Sequence, residues 1–103
     1  MRTAKVFFQN IYAGRLVEDK KGRLYTFTYE PEYDGDPISL TMPVRVDPYI
    51  YDAFPPFFDG LLPEGAQLEA LLRQKKIDRG DTFEQLLAIG SDTVGAVTIK
   101  NNS

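Results

Sequence analysis

The first forty-odd residues read as strands, with apolar and polar positions alternating in 24–29 and 38–42, and a helical spacing takes over in the second half of the chain. Lys5-Val6-Phe7-Phe8-Gln9 is β-branched and aromatic, which favours a strand. Residues 10–14 read as a turn and Arg15-Leu16-Val17-Glu18 as a second strand. Asp19-Lys20-Lys21-Gly22 is a polar, glycine-closed hairpin loop. In 24–29, Tyr25, Phe27 and Tyr29 fall on one face and Leu24, Thr26 and Thr28 on the other, so the aromatic face is expected to pack on the core. Glu30 to Pro37 is a loop by composition, because proline ends a ladder and Asp-Gly favours a turn. Ile38 to Met42 alternates again and predicts a fourth strand of an antiparallel meander.

Beyond Asp47 the pattern changes. Pro48, Pro55, Pro56 and Pro63 punctuate an aromatic stretch with a helical turn expected around 57–60. Pro63 is placed at a first helical position with Glu64 in the positive first turn. Leu68, Leu71 and Leu72 then share one helix face, and the helix ends near Lys75-Lys76. Asp81 and Glu84 have the spacing of a capping box, Phe83, Leu86 and Leu87 share a face, and Gly90 is a natural stop. Ala96 to Lys100 predicts a last strand. The fold class is α+β, a small antiparallel sheet of four or five strands with two α-helices on one face. It is expected to be a single domain over 1–103, with strands mainly in 1–46, a two-helix region in 48–90 and the final strand in 95–100.

Composition narrows the chemistry. With 103 residues, 43% of them hydrophobic, the chain has material for one core. It has no cysteine and no histidine, which excludes thiolate and imidazole metal sites, disulfides and histidine-based triads. No apolar run approaches a membrane span and Met1 to Lys5 lacks the form of a signal peptide, so a cytoplasmic protein without a membrane partner is expected. The twelve bases are scattered among fifteen acids, net −3, which argues against direct nucleic-acid binding.

The candidate reactive groups have simpler readings. Glu30, Glu32, Asp34 and Asp36 have Gly35 between the last two but no later glutamate to close a calcium loop, and they read as a solvated loop. In Arg79-Gly80-Asp81 the aspartate is a helix cap, and Ser91 has no base within a nucleophile elbow. Phosphate-binding glycine motifs are missing, and Asp59 with Glu64 lacks the cleft a glycosidase pair needs. No catalytic residue, cofactor or metal is therefore expected. Phe54 to Gly65 is more informative: three Phe, two Leu and three Pro in its twelve residues read either as core beneath a helix or as contact anchors at a rim.

Three segments carry a resemblance. Phe57-Phe58-Asp59-Gly60-Leu61-Leu62-Pro63-Glu64-Gly65 resembles the F-x-x-LLPEG signature of the N-terminal subdomain of HipA-type toxin kinases. Residues 81–97, Asp-Thr-Phe-Glu-Gln-Leu-Leu-Ala-Ile-Gly-Ser-Asp-Thr-Val-Gly-Ala-Val, resemble that subdomain's D-x-F-x-LL-x-x-IG-x-D-x-x-GA block, and Ile38 to Pro43 resembles its iS-x-s-x-P strand. HipA kinases continue with a long catalytic portion, whereas this sequence stops after the subdomain. The resemblance therefore points to the split, three-part form of these toxin–antitoxin systems. It implies an antitoxin that binds and neutralises a HipT-like serine/threonine kinase, beside a HipB-like helix-turn-helix protein that contacts DNA. The alternative it implies is a non-inhibitory scaffold bridging those two proteins. On either reading the expected partner contacts are Tyr51, Phe54, Phe57, Phe58, Leu61 and Leu62, with Asp59 and Glu64 pairing to basic groups.

Overall fold

The computed structural model describes residues 1–93 and 95–102. Its elements are β1 (Arg2–Phe8), β2 (Ile11–Lys20), β3 (Leu24–Tyr29), β4 (Tyr49–Tyr51), α1 (Pro56–Asp59), α2 (Gly65–Lys75), α3 (Thr82–Ile89) and β5 (Val97–Asn101). The strands form one five-stranded sheet in the order β4-β3-β2-β1-β5, with every neighbouring pair antiparallel. This is the α+β fold the periodicity predicts, with three helices where two were expected: α2 and α3 are those two, and α1 is the short turn.

The first hairpin turns on two residues, Gln9 (φ 51°) and Asn10 (φ 67°), both left-handed as tight hairpins require. β2 consequently begins at Ile11, and the expected turn over 10–14 is mostly strand. Gly14 misleads there for a reason. A Cβ on it would lie 2.4 Å from the Thr28 carbonyl oxygen, so the glycine admits a close strand rather than a reversal. The second hairpin closes as expected, through Gly22 (φ 75°) and the Arg23 N–H on the Lys20 carbonyl at 2.8 Å.

The predicted strand at 38–42 is not a strand. Tyr29 accepts from the Ile38 N–H at 3.0 Å and donates to the Met42 carbonyl at 2.5 Å, while the Met42 N–H bonds the Ser39 carbonyl at 3.0 Å. The segment is thus wound around one phenol hydroxyl, an alternative to a sheet ladder. Ile38 and Met42 point inward and Leu40 outward, whereas a strand would set all three on one face. The fourth strand in chain order is instead β4, which falls inside the region 48–90 expected to hold the two helices.

The inward face of the sheet carries Ala4, Val6, Leu16, Tyr25, Phe27, Tyr29, Val97 and Ile99, and it packs on Phe58, Phe83 and Leu86 from the helices. Tyr25 stacks on Phe83 at 6.5 Å. α2 starts two positions later than expected, because Glu64 is its N-cap and Gly65 its first residue. α3 is capped by the Asp81 carboxylate, which accepts from the Glu84 N–H at 3.2 Å, and stops at Gly90 (φ 49°). The reciprocal half of the capping box is replaced: the Glu84 carboxylate lies 3.5 Å from Arg2. The Gly90 carbonyl accepts from the Ile99 N–H at 3.1 Å and ties the end of α3 to β5.

Candidate partner-binding site

Two prolines set the local geometry of the 54–64 segment. Pro55 is extended (φ −61°, ψ 133°) as the N-cap, and Pro56 begins α1, where no N–H is needed. The Gly60 N–H returns to the Pro56 carbonyl at 3.0 Å, and Leu61 and Leu62 continue the turn with N–H bonds to Phe58 and Asp59 at 3.1 Å each. This winding sends Phe58 inward. Its ring is fully buried, 5.8 Å from Phe27 and 5.2 Å from Phe57. Phe58, expected as a partner contact, is therefore core: the short helix faces it to the aromatic side of the sheet, and no surface of it is left to offer.

Of the other expected contacts, the turn brings Phe57, Asp59, Leu61, Leu62 and Glu64 together. Phe57, Leu61 and Leu62 are half-buried against the core, whereas Asp59 and Glu64 are exposed and belong to no ion pair among the described residues. Leu62, Pro63 and Glu64 separate two hollows. One, of about 350 Å³, is bounded by Leu61, Gln67, Ile89 and Asp92, and the other, of about 240 Å³, by Asp59, Leu68, Arg79 and Thr82. Tyr51 and Phe54 are placed elsewhere, around Tyr25: Tyr51 is its partner across the β3–β4 register, and Phe54 meets its ring edge-on at 5.4 Å.

Two features escaped sequence reasoning. The first is a set of exposed apolar side chains outside this turn: Leu40 (96% exposed), Val46 (92%) and Ile50 (68%). Pro43 and Pro48 bracketing Val44-Arg45-Val46 were the available signal. The second is a buried ionic cluster. Glu18 is 3% exposed; Arg2 Nε lies 2.7 Å from its Oε1, Tyr25 donates to its Oε2 at 2.9 Å, and the Gly22 N–H donates at 3.2 Å. Arg2 Nη2 also reaches Asp81 Oδ1 at 2.9 Å, and the guanidinium lies over the Phe83 ring at 5.1 Å. Burial pushes the Glu18 and Asp81 carboxyls up, but for Glu18 the Arg2, Gly22 and Tyr25 donors, and for Asp81 Arg2 and the Glu84 N–H, outweigh it and hold both below the usual carboxylate range. Burial, then Glu18, raise the Tyr25 hydroxyl. The cluster's carboxylates are spent on fastening α3 to β1 and β2. Its signal in the sequence was strand parity, since Arg2 shares a face with Ala4 and Val6, and Glu18 with Leu16. Asp81 of Arg79-Gly80-Asp81 is thereby engaged as a cap and an ion-pair partner, and Arg79 makes a two-pronged pair with Glu69 at 2.6 and 2.7 Å.

The family profile described as the HipA N-terminal domain matches residues 4–100. The chain belongs to that family. A solved structure described as the N-terminal domain of HipA toxin aligns with a TM-score of 0.77 and 32% identity, covering 100% of this chain and 94% of that one. An uncharacterised protein of Haemophilus influenzae (strain ATCC 51907 / DSM 11121 / KW20 / Rd) is 37% identical over 100 residues, covering 97% of this chain and 92% of the relative. The putative kinase Y4mE of Sinorhizobium fredii (strain NBRC 101917 / NGR234) is 27% identical over 103 residues, and the chain spans 24% of its length. What is matched is thus the HipA N-terminal domain and not the kinase domain. Among the described residues no helix is long and apolar enough to cross a membrane. In this HipA N-terminal domain the LLPEG signature is the turn between α1 and α2, with one face in the core and the other between the two hollows.

Proposed function

We propose that this HipA N-terminal domain works as a separate regulator of a HipA-like kinase: an antitoxin of the HipS kind that binds and neutralises a HipT-like serine/threonine kinase, with a HipB-like helix-turn-helix protein as the third member. The observation that carries the reading is the pair of relatives. The same domain spans 24% of a putative kinase and 92% of a short Haemophilus protein, so it occurs in the family both beside a catalytic portion and nearly by itself. A domain that packs on a kinase from the same chain keeps that complementary surface when it is supplied on another.

The 57–64 turn suits the task. Phe57, Leu61 and Leu62 offer half-buried apolar area held by the core, and Asp59 and Glu64 offer exposed carboxylates at its edge. Inhibition requires tighter binding to the inactive kinase than to the active one, and a hundredfold preference corresponds to about 2.7 kcal/mol. This role needs no catalytic group or cofactor in the domain itself, and it places the protein in the cytoplasm with its partners.

The test is co-expression with a HipT-like kinase, followed by phosphorylation assays with purified components. The chain should relieve toxicity and lower kinase turnover, and Leu61→Asp should weaken both effects while leaving a folded protein. Tight binding with unchanged turnover assigns a scaffold instead, and no binding removes the proposal.

A further inference from the structure

The side of the sheet turned away from the helices carries an unusual row of charges. Lys100 on β5 pairs with Lys5 on β1, Lys5 pairs with Arg15 on β2, and Arg15 pairs with Thr28 on β3. Directly paired residues project to the same side, and Lys5 lies between the inward-facing Ala4 and Val6, so all three cations stand on the outward face. Like charges placed directly across strands destabilise a sheet. The chain as a whole is net negative, yet the outward strand positions between these residues hold no carboxylate. The facing acid is Glu30, at the end of β3, 3.7 Å from Arg15.

The row runs into a groove. Arg15, Thr28, Tyr29, Glu30 and Tyr33 line it together with a Val44-Arg45-Val46 wall, enclosing about 400 Å³. Val46 is 92% exposed and Val44 40% exposed, so the two valines are apolar surface without a covering.

We infer that this outward sheet face, from Lys100 to the groove at Arg15, is a docking surface for a short acidic segment of a partner protein whose carboxylates alternate with apolar side chains. The cation row calls for carboxylates and the valine wall for an apolar side chain. Charge complementarity favours a polypeptide over a nucleic acid. The three cations span two strand spacings, ~10 Å, which suits a pair of carboxylates rather than a track of phosphates. The two aromatic rings beside the cation row are engaged already: Phe7 and Tyr12 lie 5.4 Å apart, with Lys100 over the first at 5.4 Å and Lys5 over the second at 5.5 Å. They do not stand open as a platform for bases. The surface is separate from the 57–64 turn, and the inference stands whether or not the partner of that turn is a kinase.

The experiment is a titration of the isotope-labelled full chain, followed by amide NMR, with four probes: an alternating Glu-Leu peptide, poly-glutamate of equal length, an alternating Gln-Leu peptide and oligo-dT. The Glu-Leu peptide should shift the amides of Lys5, Arg15, Thr28, Val46 and Lys100 saturably. Lys100→Glu and Arg15→Gln should each weaken it about tenfold at low salt, with the cooperative melt retained. Gln-Leu binding as tightly as Glu-Leu overturns the charge argument, and poly-glutamate binding as tightly overturns the groove. Tighter binding of oligo-dT makes the face a nucleic-acid surface. Shifts confined to other residues, or none, overturn the inference.

Discussion

Arg2 stands one residue from an exposed terminus, yet it joins the buried Glu18 carboxylate to the cap of α3. Replacing it with methionine keeps much of the side-chain stem and removes the charge. Glu18, 3% exposed, is then left with the Tyr25 hydroxyl and the Gly22 N–H alone. Breaking a fully buried pair from one side costs about 3–5 kcal/mol. The Arg2 side chain is 27% exposed, so water moderates the loss, and the expected cost of Arg2→Met is about 2–3 kcal/mol. That is a large share of the ~5–15 kcal/mol available to a domain of this size. Glu18→Gln keeps the shape and leaves Arg2 its Asp81 partner, so about 1 kcal/mol is expected. Because the two residues touch, the double variant should be less destabilised than the sum by about 1–2 kcal/mol. Urea unfolding at neutral pH measures all four corners of the cycle. The pH dependence gives a second reading. The folded-state values of Glu18 and Asp81 are depressed, so their stabilisation is complete above the unfolded carboxylate range near pH ~4 and is lost as pH falls through the lower folded values. Wild type should lose stability across that acid window, and Arg2→Met should lose less. Additive losses, or an acid slope unchanged in Arg2→Met, would refute the account of Arg2 as the fastening between sheet and helix.

Phe58→Ala empties a fully buried site beside Phe27 and should cost about 3–5 kcal/mol in urea or thermal unfolding, whereas a cost under 1 kcal/mol would return Phe58 to the surface. Gly14→Ala should cost about 3 kcal/mol or more, because its Cβ would meet the Thr28 carbonyl oxygen at 2.4 Å and the Tyr29 Cα at 3.0 Å, and neither backbone atom can turn aside. Tyr29→Phe removes the hydroxyl that both Ile38 and Met42 bond, and faster amide exchange at Ile38, with about 1–2 kcal/mol lost, is expected. Leu40→Ser, at a position 96% exposed, should leave stability within about 0.5 kcal/mol.

Short-range rules read much of this chain correctly because the deciding partners lie close in sequence. Gly22 closes its hairpin within four residues, and Asp81 caps the N–H three positions on. The aromatic parity of Tyr25, Phe27 and Tyr29 fixes which face of β3 is buried, whatever covers it. The same rules fail where the partner is distant. Residues 38–42 alternate like a strand, but a hydroxyl nine to thirteen residues away offers their backbone groups a different set of bonds. Gly14 looks like a turn until β3 is placed beside it.

The candidate site divides in the same way. Its composition marked 54–64 as apolar beyond what a loop needs, and its resemblance to the LLPEG signature was legible residue by residue. Which of its rings face the solvent was not. The direction of Phe58 is set by where the sheet's aromatic face lies, and half-buried Leu61 and Leu62 are left over only because Phe58 has taken the core. The cation row is a purely tertiary fact. Lys5, Arg15 and Lys100 are scattered over ninety-five residues of chain and meet because the register of β5, β1 and β2 aligns them. Local sequence determines the elements and their buried sides, since those depend on backbone propensity and period. Only the assembled sheet decides which charges become neighbours, because Coulomb energy depends on distance in space and not on separation along the chain.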